Sequence, residues 1–183
     1  MRGGNMLPIG PLMIEHRLIE RMIKLIEGRV ERAASDDRID PEFVDTAVDF
    51  IRTYADRTHH GKEEDILFRA LGRKDMSDGD VRVMGELVEE HREGRKMVGA
   101  LVSANERYRN GEVEALSEIT DTLRALVEFY PRHIEKEDRV FFPASMEYLS
   151  GDEKDAMLGE MHEFDRRMIH EKYESVVDML EET

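Results

Sequence analysis

The 183-residue sequence contains no cysteine. This absence excludes disulfide scaffolds, thiolate zinc sites, iron–sulfur clusters and cysteine nucleophiles. Any metal site in the chain must therefore use histidine and carboxylate ligands. Tryptophan is also absent, and β-branched residues rarely cluster. Because Met, Glu, Lys and Arg are abundant instead, the composition favours helix over sheet.

Positive charge is scarce, since 27 Lys and Arg face 42 Asp and Glu and the net charge is −15. Such an excess repels phosphate backbones and anionic lipid, so we expect neither nucleic acid nor membrane as a partner. Long apolar runs are missing too: no segment approaches 18 uncharged apolar residues, and the start of the chain has no signal-peptide pattern. These features predict a cytoplasmic protein.

The few prolines and glycines divide the chain into helices. Four of the five prolines and the Asn110-Gly111 pair lie at expected helix boundaries. Apolar residues at steps of three and four then predict four helices of about 30 residues joined by short links. We expect an all-α fold in a single domain over 1–183: an up-down-up-down four-helix bundle over about 10–148, with an additional C-terminal fifth helix over about 151–181.

Two segments of the chain repeat one pattern, 59–68 and 133–142. Both read His, three residues, Glu, an acid, any residue, a β-branched residue, a large apolar residue and Phe. A lone helical histidine precedes each segment at a similar distance: His16 lies 43 residues before His59, and His91 lies 42 residues before His133. The chain is therefore expected to consist of two helical hairpins of similar design.

The His-x3-Glu spacing indicates a metal site, because residues four apart project from the same face of a helix. Two such hairpins, packed about a pseudo-twofold axis, would bring four imidazoles and two carboxylates to the middle of the bundle. This set suits two ions, with the carboxylates bridging them. A nitrogen and oxygen shell without thiolate favours iron over manganese or zinc. The predicted ligands are His16, His59, Glu63, His91, His133 and Glu137.

The His59-His60 pair leaves two registers open. His59 and Glu63 continue an apolar series that begins at Val44, whereas the residues upstream of His60 on its face are polar. The register therefore favours His59 with Glu63, and His60 with Glu64 stays as a rival that a one-residue helical distortion would select. The same reasoning favours Glu137 over Asp138.

Two further residues share a face with the expected core. Tyr130 lies one turn before His133, so its hydroxyl could reach the ligands or satisfy a backbone group. His162, in the fifth helix, shares a stripe with Leu158, Ile169 and Tyr173 and is expected to face the bundle, as an extra ligand or as a structural residue.

With these residues assembled, the sequence resembles a hemerythrin-like (HHE cation-binding) domain, whose pattern is His, His-x3-Glu, His, His-x3-Glu in that order. The resemblance covers about residues 10–148. It implies a four-helix bundle that holds a non-haem di-iron centre, bridged by carboxylates and an oxo or hydroxo group. It also assigns the ligand roles to the same six residues.

One position departs from the pattern of the oxygen-carrying members. They have a second histidine four residues after the third-helix histidine, and this chain has Arg95 there. The ion on that side would then have fewer protein ligands and room for an exogenous one. Arg95 could hydrogen-bond an oxygen-derived anion, pair with a ligand carboxylate, extend to solvent, or pair with Glu86 or Glu90.

Two functions follow from this interpretation. The first is a di-iron protein that binds or reacts with a small oxygen- or nitrogen-derived ligand (O2, peroxide or NO) in the bundle core. The second is an iron-handling or iron-sensing module that acts through an unspecified protein partner without turnover. A metal-free helical adaptor is disfavoured because the histidine pattern occurs twice.

Overall fold

A computed structural model of the chain describes residues 7–181, with side chains to Ile169 and that of Lys172. It is all-α, with five long helical rods joined by short links. We label them α1 (Ile9–Asp36), α2 (41–71), α3 (Asp78–Arg109), α4 (115–148) and α5 (Gly151–Glu181). The fold class and the number of helices are as the sequence predicts.

Local chemistry sets the ends of these helices. The Asp40 side chain accepts from the Glu42 N–H at 3.0 Å and Pro41 occupies the first turn of α2. Ser150 and Glu153 form the reciprocal capping box expected at the start of α5, with bonds of 2.9 and 3.3 Å. Left-handed Asp37 ends α1.

Two of the rods contain π-helical turns near their histidines. In α2, the α-helical Pro41–Phe50 is followed by π-helical Ile51–His60 and Glu63–Phe68 and by α-helical Arg69–Leu71. In α4, Ala115–Lys136 is followed by π-helical Glu137–Phe141, α-helical Phe142–Ser145 and 3₁₀-helical Met146–Tyr148. Such turns bond the N–H to the carbonyl five residues back, as Gly61 does with Asp56, and they shift the side-chain register.

In α4, steps of four and three in the sequence predict one buried stripe: Ile119, Leu123, Leu126, Tyr130, His133, Glu137 and Val140. The register shift explains why this stripe fails at its last residue. Tyr130, His133 and Glu137 are buried as the four-and-three spacing predicts. Val140, the next position, is 51% exposed, and Phe141 is buried in its place. Because the π-helical turn begins at Glu137, the residues after it lie on different faces from those of a regular α-helix.

The fifth helix packs along the π-helical segments of α2 through a methionine-rich face. Met157, Met161, Phe164 and Met168 are buried there. The predicted stripe was wrong: Ile169 is 59% exposed, His162 is also exposed, and the side chain of Tyr173 lies outside the described residues. The flexible thioethers of methionine suit an irregular packing surface of this kind.

Phe164 of α5 packs tightly against α2 at Gly61. A Cβ at this position would lie 2.8 Å from Cζ of Phe164, whereas one at Gly85, exposed on α3, would meet nothing within 4 Å. We therefore expect Gly61→Ala to destabilise the protein by about 1–3 kcal/mol through overpacking. The matched control Gly85→Ala should stabilise it by about 0.5–1 kcal/mol, because alanine favours helix. Urea unfolding measures both; equal effects of the two variants would contradict the close packing.

Candidate metal centre

A polar layer crosses the bundle between two apolar clusters. One cluster contains Ile19, Ala55, Val98 and Tyr130, and the other contains Leu12, Ile66, Leu87 and Phe141. The histidines of all four bundle helices lie between these clusters, at 0–3% exposure: His16, His59, His60, His91 and His133. Glu63 and Glu137 lie in the same layer and are fully buried.

The side chains of this layer form two groups. Within each group, one possible ligand atom of every residue lies within 4.8 Å of those of the others. The first is His16, His59, Glu63 and Glu137, and the second is His60, His91 and His133. Each group contains side chains from both helical hairpins. The bundle thus brings together all six predicted ligands, together with His60.

Glu63 faces both groups with its two oxygens. Its Oε1 lies 3.5 Å from Nε2 of His59, and its Oε2 lies 3.3 Å from Nε2 of His91. One carboxylate is thereby shared between the two histidine groups, as a bridging ligand would be.

Glu137 repeats this arrangement from the opposite hairpin. Its Oε2 lies 3.2 Å from Nε2 of His16, and its Oε1 lies 3.3 Å from Nε2 of His133 and 3.7 Å from Nε2 of His91. The two carboxylates therefore span the same pair of positions.

None of the inward-facing atoms of the six predicted ligands has a hydrogen-bond partner. The buried, unpartnered atoms include Nε2 of all four predicted histidines and both carboxylate oxygens of Glu63 and Glu137. Leaving even one such group without a partner costs about 1–3 kcal/mol, and more for a charged one. Eight bare nitrogen and oxygen donors converging on two positions fit a pair of metal cations.

The outward-facing nitrogen of each of the four predicted histidine ligands is held by a carboxylate. In four separate bonds, Nδ1 of a histidine lies 2.7–2.8 Å from an acidic oxygen: His16 with Asp138, His59 with Glu15, His91 with Glu64, and His133 with Glu90. A carboxylate at Nδ1 fixes the tautomer that leaves Nε2 free to bind a metal, and it raises the basicity of the ligand.

These four carboxylates are paired in turn with cations from neighbouring helices. The pairs are Glu15 with Lys62, Glu90 with Lys136, Asp138 with Arg17, and Glu64 with Arg95. Lys62 is fully buried and also contacts Asp165 of α5 at 2.6 Å. The charge of each outer carboxylate is thus offset locally, and the histidines are held rigidly.

The sequence prediction included Glu64 and Asp138 only as rival ligands and missed this supporting role, although a signal for it was present. Glu15 and Glu90 each directly precede a predicted ligand histidine, Glu64 and Asp138 each directly follow a predicted ligand glutamate, and a lysine lies three residues after His59 and after His133. The repeat therefore extends beyond the predicted ligands. Each of these four acids points toward the outer nitrogen of a histidine on another helix, which spacing alone did not reveal.

Burial and the neighbouring carboxylates have opposite effects on the pKa of two histidines in this layer. Burial lowers the pKa of His16, but Asp138 and Glu137 outweigh it and raise that pKa to about 10. Burial likewise lowers the pKa of His91, and Glu137, Glu63 and Glu64 raise it to about 11. Protons on these histidines offset the buried carboxylates when no metal cation does so.

The repeated phenylalanine packs against the ligands of the opposite hairpin. Phe68 stacks on the ring of His91 with centroids 6.0 Å apart, and Phe142 stacks on His16 at 5.6 Å. Both rings form part of the apolar cluster on one side of the layer. They exclude water from the outer faces of the two imidazoles.

Arg95 does not approach the two ligand glutamates. Its Nε donates to Asp56 at 2.8 Å and its terminal nitrogen donates to Glu64 at 2.7 Å. Its two partners, Asp56 and Glu64, belong neither to the six predicted ligands nor to the acids Glu86 and Glu90 that the sequence suggested. Its role is to hold the acid that orients His91.

A cavity of about 340 Å³ lies between α2, α3 and α4 and reaches the layer at His60 and His91. Tyr130 lies at its base, and burial, together with the charges of Asp56 and Glu137, raises the pKa of its phenol. The remaining lining residues include three arginines: Ile51, Arg52, Asp56, Arg57, Gly94, Arg95 and Val98. The cavity offers small molecules a path to the polar layer.

The remaining candidates from the sequence, His60 with Glu64 and His162, lie in different places. His60 is buried in the second group, so the structure turns both His59 and His60 inward. Its proposed partner Glu64 lies outside both groups and holds His91 instead. His162 is exposed on α5 and belongs to neither group.

Comparison with known proteins agrees with this geometry. The family model of the hemerythrin HHE cation-binding domain matches residues 7–145, and again 85–181. Among curated proteins, the chain is 23% identical over 168 residues to uncharacterized protein Mb2018 of Mycobacterium bovis and uncharacterized protein Rv1995 of Mycobacterium tuberculosis. The match covers 91% of this chain, which spans 65% of the length of those relatives.

Within residues 7–181, no helix is both long and apolar enough to cross a membrane. The two hairpins, the His and His-x3-Glu pattern in each, and the family match over most of the sequence agree. The chain belongs to the hemerythrin HHE cation-binding domain family, and its buried His and Glu groups can hold metal.

Proposed function

We propose that this protein is a non-haem di-iron protein that binds or reacts with a small oxygen- or nitrogen-derived ligand (O2, peroxide or NO) in its core. The observation that carries the proposal is the set of eight unpartnered donor atoms on His16, His59, Glu63, His91, His133 and Glu137. These residues would hold the two ions, with Glu63 and Glu137 shared between them.

The donor chemistry favours iron. Imidazole with carboxylate, and no thiolate, is the environment of the non-haem iron proteins and of carboxylate-bridged di-iron bundles, and manganese or zinc would be weaker fits. When bound, the ions would supply open coordination positions and electrons to a small ligand. The protein's own part is to orient the histidines through the outer carboxylates and to exclude bulk water through Phe68 and Phe142.

The cavity beside His60 and His91 supports a small ligand. Its volume is about 340 Å³, and its polar lining includes Arg52, Arg57 and Arg95 with Asp56. Arg95 is already paired with Asp56 and Glu64. O2, hydrogen peroxide and NO are uncharged near neutral pH and are small enough to enter by this route.

The test is anaerobic reconstitution with ferrous iron, followed by exposure to O2, peroxide or NO while visible absorption is recorded. We expect about two irons per chain and a new absorption band with at least one of the three. Protein loaded with redox-inert Zn²⁺ is the matched control and should stay colourless. If iron-loaded protein shows no spectral change with any of the three, the proposal is wrong.

An iron-sensing role has one specific observation in its favour. The outer nitrogen of His59 bonds to Glu15, Glu15 pairs with Lys62, and Lys62 contacts Asp165 of α5. Occupancy at His59 would thereby influence how firmly α5 is docked. Hydrogen exchange of the α5 amides in iron-loaded and stripped protein tests this role, and equal protection in both forms would contradict it.

A further inference from the structure

His60 is buried in the polar layer without a role in the six-ligand pattern. It directly follows His59, and in a regular α-helix two successive side chains diverge by about 100°. Here Ile51–His60 is π-helical, and both imidazoles are buried, at 1% and 3% exposure. The widened turn brings His60 to the interior as well as His59, rather than one in place of the other.

His60 lies directly against two of the predicted ligands. Its ring stacks on His91 with centroids 3.8 Å apart and meets His133 edge-on at 5.5 Å. Together these three imidazoles form the second group, with one nitrogen of each within 4.8 Å of the others. Parallel rings cannot both direct an in-plane nitrogen at one ion, so coordination by His60 and His91 together requires one ring to turn out of the stack.

Hydrogen bonding within the protein does not account for this placement. Nδ1 of His60 is buried without a hydrogen bond, and the nearest acid, Asp56, lies 3.4 Å away. Asp56 is already engaged by Nε of Arg95 at 2.8 Å. The other four histidines of the layer each have a carboxylate at 2.7–2.8 Å, so His60 is held differently from them.

The internal repeat shows that His60 breaks the symmetry of the site. Its counterpart in the second hairpin, the residue after His133, is Ile134, which is apolar and 3% exposed. Every other donor has a counterpart of the same kind: His16 with His91, His59 with His133, and Glu63 with Glu137. The second group therefore has one imidazole more than the first.

We infer that His60 is a fifth nitrogen ligand, which binds the metal ion held by His91 and His133. The two positions of the centre would then be unequal, with three imidazoles at one and two at the other. His60 of α2 would thus supply the imidazole that the oxygen-carrying members have at the position of Arg95. The ion held by His16 and His59 would keep fewer protein donors. This inference rests on the proposed di-iron function.

The experiment compares the two irons directly by Mössbauer spectroscopy of protein reconstituted with ⁵⁷Fe. In the unmodified protein we expect two quadrupole doublets of equal area, because the irons have different nitrogen counts. His60→Ile copies the counterpart residue and should merge the doublets toward one, with retention of the second iron weakened more than about tenfold. His162→Ala removes an exposed histidine and should change neither result.

A second variant guards against misfolding of the first. His60→Gly enlarges the adjoining cavity, and added imidazole should restore the two-doublet spectrum by occupying the vacated space. A single doublet in the unmodified protein, or two doublets that His60→Ile leaves unchanged, would overturn the inference. Fewer than two irons in the unmodified protein would instead overturn the di-iron proposal, so the two failures are distinguishable.

Discussion

Replacing Glu137 with glutamine should reduce the metal content of the reconstituted protein from the proposed two ions per chain to one or none. Glu137 is fully buried, and its two oxygens face histidines of both groups, at 3.2 Å from His16 and 3.3 Å from His133. The substitution keeps the shape but removes the charge and one acceptor oxygen. Loss of one member of a buried charged set costs about 3–5 kcal/mol, which corresponds to more than about 100-fold in affinity.

The measurement is metal analysis after anaerobic reconstitution and gel filtration, with circular dichroism to show that the bundle is intact. Glu135→Gln is the matched control, since it makes the same change two residues earlier in α4 at a side chain that is 61% exposed. It should leave the metal content unchanged. Equal content in both variants would exclude Glu137 as a shared ligand.

The sequence predicted the architecture because its signals are local. Helix caps at Asp40 and Ser150, Pro41 and the Asn110-Gly111 pair mark the ends of helices through contacts within a few residues. The periodic apolar stripes of α1 and α4 then specify which face is buried. Where the periodicity changes, as after Glu137, the same reasoning misplaced Val140, because a π-helical turn is not encoded by any simple spacing.

The site was only partly predictable for a related reason. His-x3-Glu spacing reveals ligands that share one helix face, but the carboxylate behind each histidine comes from another helix. Asp138 of α4 holds His16 of α1, and Glu64 of α2 holds His91 of α3. Such pairs depend on how the hairpins dock. The preference for His59 over His60 assumed a regular helix in which only one of them turns inward, whereas the π-helical segment Ile51–His60 buries both.

Removing the metal should lower the melting temperature of the protein by about 8–16 °C without unfolding it. A ligand at about 1,000 times its dissociation constant stabilises the folded state by about 4 kcal/mol, and each kcal/mol shifts the midpoint by about 2–4 °C in a chain of this size. The two apolar clusters, one on each side of the polar layer, are built from side chains outside the predicted ligand set. The stripped protein should therefore stay helical.

Protonation of the buried histidines limits the loss of stability when the metal is removed. With the pKa of His16 raised to about 10 and that of His91 to about 11 by the buried glutamates, both imidazoles carry charge near neutral pH and offset Glu63 and Glu137. Metal uptake must displace these protons, so the charge of the ions would then offset Glu63 and Glu137 more strongly than the protonated imidazoles do. Calorimetry before and after chelation measures the shift, and Glu137→Gln, with one shared ligand gone, should show a smaller one. An equal midpoint for loaded and stripped protein would mean that the eight donor atoms bind no ion.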